Sequence, residues 1–140
     1  MKRYINSAIV YMLLGLASGV FFREFTKFSG FTGRTALSFM HVHYIALGSM
    51  FFLVLLLMEK SFSFTQSKTR KVLVAYHVGL NIMEGSFLAR GILQVWGSEL
   101  SKMADASISG IAGIGHILLG VSLVLLLMSI RKGIGNAAVT

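Results

Sequence analysis

Apolar residues run in four long blocks along this chain, at about Tyr4 to Phe22, Ser38 to Met58, Val72 to Trp96 and Ile108 to Ile130, with short polar stretches between them. About 20 apolar residues wound as an α-helix cross the hydrocarbon of a bilayer. The pattern therefore predicts an all-α fold, an integral membrane four-helix bundle with helices 4–22, 38–58, 72–96 and 108–130. The connectors, Arg23 to Leu37, Glu59 to Lys71 and Gly97 to Ser107, are too short to hold a further domain, so residues 1–140 read as one transmembrane unit. No internal repeat or low-complexity tract interrupts it. In the first connector Phe21, Phe25 and Phe28 recur at i, i+4 and i+7, so the first helix is expected to continue as an amphipathic turn among the lipid headgroups.

Composition sharpens this picture. The chain is 55% hydrophobic, only 13% charged and free of proline, which sets aside a water-soluble domain. With no cysteine there are no disulfides, no iron–sulfur clusters and no thiolate ligands, so any metal chemistry falls to His, Glu, Asp, Asn, Met or Tyr. The net charge of +8 has a topological explanation that needs no nucleic acid. Eight Lys and Arg lie at the N-terminus (Lys2, Arg3), in the second connector (Lys60, Lys68, Arg70, Lys71) and near the C-terminus (Arg131, Lys132). Only four, Arg23, Lys27, Arg34 and Lys102, lie in the other two connectors. The positive-inside bias puts both termini in the cytoplasm of a multi-pass protein of the bacterial inner membrane. Phe21 and Phe22 close the first apolar run where a signal peptide would carry small residues, so that run is read as a retained helix.

Ionisable groups at membrane depth cost about 2.5 kcal/mol or more, which makes each of them a candidate for function. The second helix carries His41 and His43. Residues i and i+2 of an α-helix point about 200° apart, so these two imidazoles address different neighbours or different cofactors. His43 follows Thr35 by eight residues and His116 follows Ile108 by eight, which sets the two level if both helices enter from the outer side. His116 sits in a run of small residues, SGIAGIGHILLG, that either lets helices approach closely or leaves room for a flat cofactor. In the third helix His77, Asn81 and Glu84 form one polar stripe, a proton relay, a second site or interhelical glue, with Arg90 and Gln94 on nearly the opposite side. His77 is expected about 16 Å deeper than His43, at 1.5 Å per residue, which favours His116 as the partner of His43. Arg34, seven residues before His41, falls on that histidine's face if the helix reaches so far, and with Arg23 and Lys27 could meet haem propionates. Gly15 and Gly19 form a GxxxG packing pair.

The string HVHYIALGSMFF, residues 41–52, resembles the HxHY…G helix of haem-copper oxidase catalytic subunits and the HAHxxxxG helix of related haem- and copper-containing nitric-oxide-response membrane proteins. The whole chain is also similar to a family of small, uncharacterised bacterial four-helix membrane proteins. The oxidase resemblance implies that His41 and His43 each bind a haem iron, on opposite helix faces. Gly48 follows His41 by seven residues, as in the nitric-oxide-response type and not by eight as in the oxidases. No copper-binding His–Pro–Glu–Val–Tyr motif and no adjacent histidine pair is present, so oxygen reduction is not implied. Oxidase cores hold twelve helices in three arcs of four, and by symmetry a chain resembling one arc implies a homotrimer, with haem either shared between His41 and His43 of neighbouring subunits or held by His43 and His116 of one.

The leading expectation is an integral membrane haem b protein for electron transfer, haem handling or gas sensing, with His41, His43 and His116 as iron ligands and Arg34 beside them. Copper is the alternative metal. The competing expectations are a proton or divalent-metal transporter whose path is lined by His77, Asn81, Glu84 and the outer histidines, and a non-catalytic accessory subunit. The expected partners are the lipid bilayer, further copies of the chain and a redox partner that the residues do not identify.

Overall fold

A computed structural model of the chain describes residues 1–98 and 101–137. Four helices make up most of it: α1 (Lys2–Phe28), α2 (Leu37–Phe62), α3 (Ser67–Val95) and α4 (Lys102–Ala137), each long and apolar enough to cross a membrane. They outrun the hydropathy blocks because helical hydrogen bonding continues into residues too polar for hydrocarbon. The Phe21, Phe25, Phe28 stripe is the end of α1 itself. There Phe21 and Phe25 stack with ring centroids 5.1 Å apart, and Phe25 meets Trp96 edge-on at 6.2 Å.

The helices stand in a row in chain order, each packed on its neighbour in sequence, and at one end of the row α2 also meets α4, where a methyl on Gly133 would lie 3.1 Å from Phe62 O. The start of α1 and the last turns of α4 share one end of the row, the terminal end, with the tight turn 63–66. At this terminal end Tyr4 donates to Thr65 Oγ1 at 2.5 Å, while Thr65 gives both its hydroxyl and its N–H to Glu59 Oε2, at 2.7 and 2.9 Å. Ser63 turns the chain in the left-handed region at φ 45°, and Gln66 and Thr69 cap α3 reciprocally. At the opposite, loop end, Thr35 donates to Gly91 O at 2.9 Å and the Ala36 N–H donates to Gln94 Oε1 at 2.8 Å, tying the start of α2 to α3.

Helices in lipid gain little by hiding apolar side chains from one another, so association relies on close packing. Glycine supplies the approach. A methyl group on Gly79 of α3 would lie 2.7 Å from the backbone nitrogen of Leu119 on α4, and one on Gly115 would lie 2.9 Å from that of Met83. Gly15 and Gly19 of α1 do the same for α2, facing Ile45 and His41.

α2 is not a uniform α-helix. It winds as a π-helix over Tyr44–Met50, immediately after the two histidines, and the Phe51 N–H reaches back to Ala46 O. Such widened turns shift the helical register and release a carbonyl for other work. Here Tyr76 of α3 donates to Leu47 O at 2.7 Å. Gly48, inside the same turn, is where Tyr11 of α1 presses in, its Cβ 2.5 Å and its ring 2.6 Å from any added Cβ. Tyr11 thereby reaches past α2 to His77, and Phe52 stacks on the same imidazole at 4.7 Å.

Replacing Gly79 by Ala should force α3 from α4 and cost about 1–3 kcal/mol, the range for overpacking a tight contact. Gly85→Ala, with open space at its Cβ, should be neutral or stabilise by up to about 1 kcal/mol through helix propensity. Reversible unfolding in mixed detergent reads both; equal effects would contradict the packing described.

Candidate functional site

His43 and His116 come together on one aromatic ring. The His43 imidazole lies 5.3 Å from the ring of Phe87 on α3, and the His116 imidazole lies 6.0 Å from that same ring, edge-on. Phe39 completes the cluster, 6.5 Å from His43 and 5.9 Å from Phe87. Both imidazoles are held in the same way. Nδ1 of His43 bonds to Phe39 O and Nδ1 of His116 bonds to Ala112 O, each one helical turn back and each at 2.8 Å. A carbonyl oxygen only accepts, so Nδ1 carries the proton in both rings. In the neutral imidazole Nε2 then holds a free lone pair. A backbone bond at one ring nitrogen that readies the other for a metal is the usual arrangement of histidine ligands.

Towards the loop end this cluster opens into a cleft of about 710 Å³ lined by Phe39, Phe87, Ser38, Arg34, Arg90 and Gln94. Arg90 crosses to α4, where its Nη2 meets Asp105 Oδ1 at 2.9 Å and Ser109 Oγ at 2.7 Å. Arg34 is exposed and precedes α2 in non-helical chain. Its expected place on the face of His41 is therefore corrected: the chain turns before Leu37, and Arg34 lines the cleft beside Phe39, a neighbour of His43.

His41 looks the other way, towards α1, as the helical turn between the two residues requires. Its Cβ would lie 3.5 Å from a methyl on Gly19. Its Nδ1 is buried without a hydrogen-bond partner. It therefore lacks the orienting bond that His43 and His116 share.

His77, Asn81 and Glu84 belong to a separate group. Asn81 Nδ2 donates to Tyr11 Oη at 3.1 Å, leaving the Tyr11 hydroxyl to donate to His77 Nδ1 at 2.6 Å. Tyr44 Oη and Asn81 Oδ1 stand 3.5 Å apart. Glu84 is fully buried, and neither of its oxygens has a partner. His77 and Phe87 are ten residues apart on one helix, about 15 Å along its axis, so the two groups are distinct. Among the described residues, no three of His, Cys, Asp or Glu converge to hold a metal ion.

Of the cleft residues named, Arg34 was assigned from sequence, whereas Ser38, Phe39, Phe87, Arg90 and Gln94 were not. The signal was present, since Phe87, Arg90 and Gln94 recur at i, i+3 and i+7 and so share one face of α3. Nitrogen-15 spectra of imidazole-labelled protein should show the Nδ1–H tautomer at His43 and His116 and the Nε2–H tautomer at His77. Assignment by single His→Gln variants checks this, and the reverse tautomer at His43 or His116 would remove the argument for a free Nε2.

No curated protein and no solved structure matches the chain, which leaves the likeness to oxidases resting on residues 41–52. Residues 1–133 match the family described as a protein of unknown function (DUF2871), and the chain belongs to that family.

Proposed function

We propose that this protein is an integral membrane b-type haem protein, with His43 and His116 as iron ligands and with Arg34 and Arg90 as the cations facing the haem carboxylates. The observation that carries this reading is the pair of tethered imidazoles around Phe87. Each has its Nδ1 proton committed to a carbonyl at 2.8 Å. His116 is exposed on a helix surface that also displays Ile114 and Ile117. An imidazole left bare in hydrocarbon is costly, and iron at Nε2 would offset that cost. The donor set fits the group: two imidazoles on the Phe87 ring, and beside them a cleft with the aromatic walls Phe39 and Phe87 and the guanidinium groups of Arg34 and Arg90. A haem held by these residues would supply one-electron iron chemistry, with two imidazole ligands favouring electron transfer and a single one gas binding.

The same reading places the terminal end, with its eight basic residues, in the cytoplasm of a bacterial inner membrane. α1 and α4 close the row at either side and turn apolar residues outward, Ile9, Leu13 and Val20 on one and Ile114, Ile117 and Val121 on the other. Three such rows in a ring would give twelve helices, the arrangement that the resemblance of the HxHY helix implies. In that trimer a second haem at His41 is supported by the resemblance and not by an orienting bond. Copper at the tethered imidazoles is the alternative metal.

Protein purified from haem-replete cells should show a Soret band and split α and β bands on reduction, with iron and not copper in matching amount. His43→Ala should abolish or shift the spectrum, His116→Ala should shift it as well, and Arg90→Leu should weaken haem retention with the fold intact. Haem-free protein from such cells would overturn the proposal. Chemical cross-linking in native membranes should stop at three copies; a ladder ending at two would exclude the trimer.

A further inference from the structure

Glu84 is a different problem from the histidines. Its side chain has no accessible surface, and neither carboxylate oxygen meets a hydrogen-bond donor. A partner from outside the chain cannot reach a group that is fully enclosed. An ionised carboxylate with neither water nor a cation costs several kcal/mol in such a place. The form compatible with this packing is the neutral acid.

The surroundings give that acid a route. Glu84 shares one face of α3 with Asn81 and His77, one and two turns nearer the terminal end. Tyr44 of α2 turns its hydroxyl to Asn81 Oδ1 at 3.5 Å, one helical turn from Glu84 on α3. From there the donors run in one direction. Tyr44 O–H points to the Asn81 carbonyl, the Asn81 amide points to Tyr11 Oη, and Tyr11 O–H points to His77 Nδ1. A chain with aligned donors is polarised cooperatively, and its first oxygen is left ready to accept. At its far end His77, Asn81 and Tyr11 line a groove of about 250 Å³ between α1 and α3, with Asn6 and Ser7 at its terminal side. α4 meets this part of α3 through Gly115, against Gly79 and Met83, and brings His116 against Phe87, one turn beyond Glu84. The titratable groups around Glu84 and the path are thus Tyr44 and His43 on α2, Tyr11 on α1, His77 on α3 and His116 on α4.

We propose that Glu84 is a proton-binding site within the membrane, loaded and unloaded through the hydroxyls of Tyr44 and Tyr11 and the imidazole of His77, each taking up one proton as it gives up another, with Asn81 holding them in line beside the groove between α1 and α3. Loading places a proton on a carboxylate oxygen and removes one negative charge from the interior. Unloading returns a proton through the same series to water at the groove. Neither step involves the haem proposed above, and the site stands or falls independently of it.

Infrared spectroscopy of the full-length protein in lipid bilayers at neutral pH tests the site. The wild type should show the carbonyl stretch of a protonated carboxylic acid, and Glu84→Gln should lose it. A wild-type spectrum without that band, or an undiminished band in Glu84→Gln, overturns the assignment. Transfer into deuterated buffer tests the route, because the band shifts as the acid proton exchanges. That shift should be slower in Tyr11→Phe and Asn81→Leu than in the wild type. Unchanged exchange in both would remove the path, and the wild-type measurement holds even if a variant fails to fold.

Discussion

Everything in this structure answers to the lack of hydrogen-bonding partners in hydrocarbon. Backbone groups are satisfied inside helices, and the helices associate by bringing backbones close where glycine removes the side chain. The contact of Gly79 with the Leu119 backbone nitrogen, and of Gly115 with that of Met83, fixes α3 on α4. The same contact fixes the level of His116, since the residue next to Gly115 then comes against Phe87. Ligand geometry here is a consequence of helix packing.

The π-helical turn shows how a local departure serves two distant groups. Winding Tyr44–Met50 wide frees Leu47 O for Tyr76, and Gly48 in the same turn leaves room for the Tyr11 ring. Tyr11 can then bond His77 across α2. The turn begins directly after His43, so both histidines stay in regular α-helix and His43 keeps its i−4 carbonyl in reach. One irregular segment thus separates the tethered imidazoles from the buried polar series.

The two groups handle buried polarity differently. At His43 and His116 the cost is reduced by one backbone bond each, with the second ring nitrogen left over for a ligand. In the series ending at His77, side chains satisfy one another, except at Glu84 and its two orphaned oxygens. Orphaned polar atoms are rare enough in folded proteins to call for a function or a transient partner.

The four apolar blocks were legible in the chain because crossing hydrocarbon is a matter of length and composition, and both are local properties. So was the opposition of His41 and His43, since the turn per residue fixes it wherever the helix forms. The row order, the π-turn and the cleft were not legible. They depend on which helix faces meet, and that is set by small-residue contacts between segments such as Gly79 and Leu119, 40 positions apart in the chain. Arg34 shows the limit most clearly, because its distance from His41 in sequence suggested one face and the end of α2 at Leu37 gave it another. Sequence alone determined how many helices there are and which imidazoles are costly. Only the tertiary packing decided that His43 and His116 share Phe87 while Glu84 is sealed away, because partners for polar groups in lipid must come from other helices.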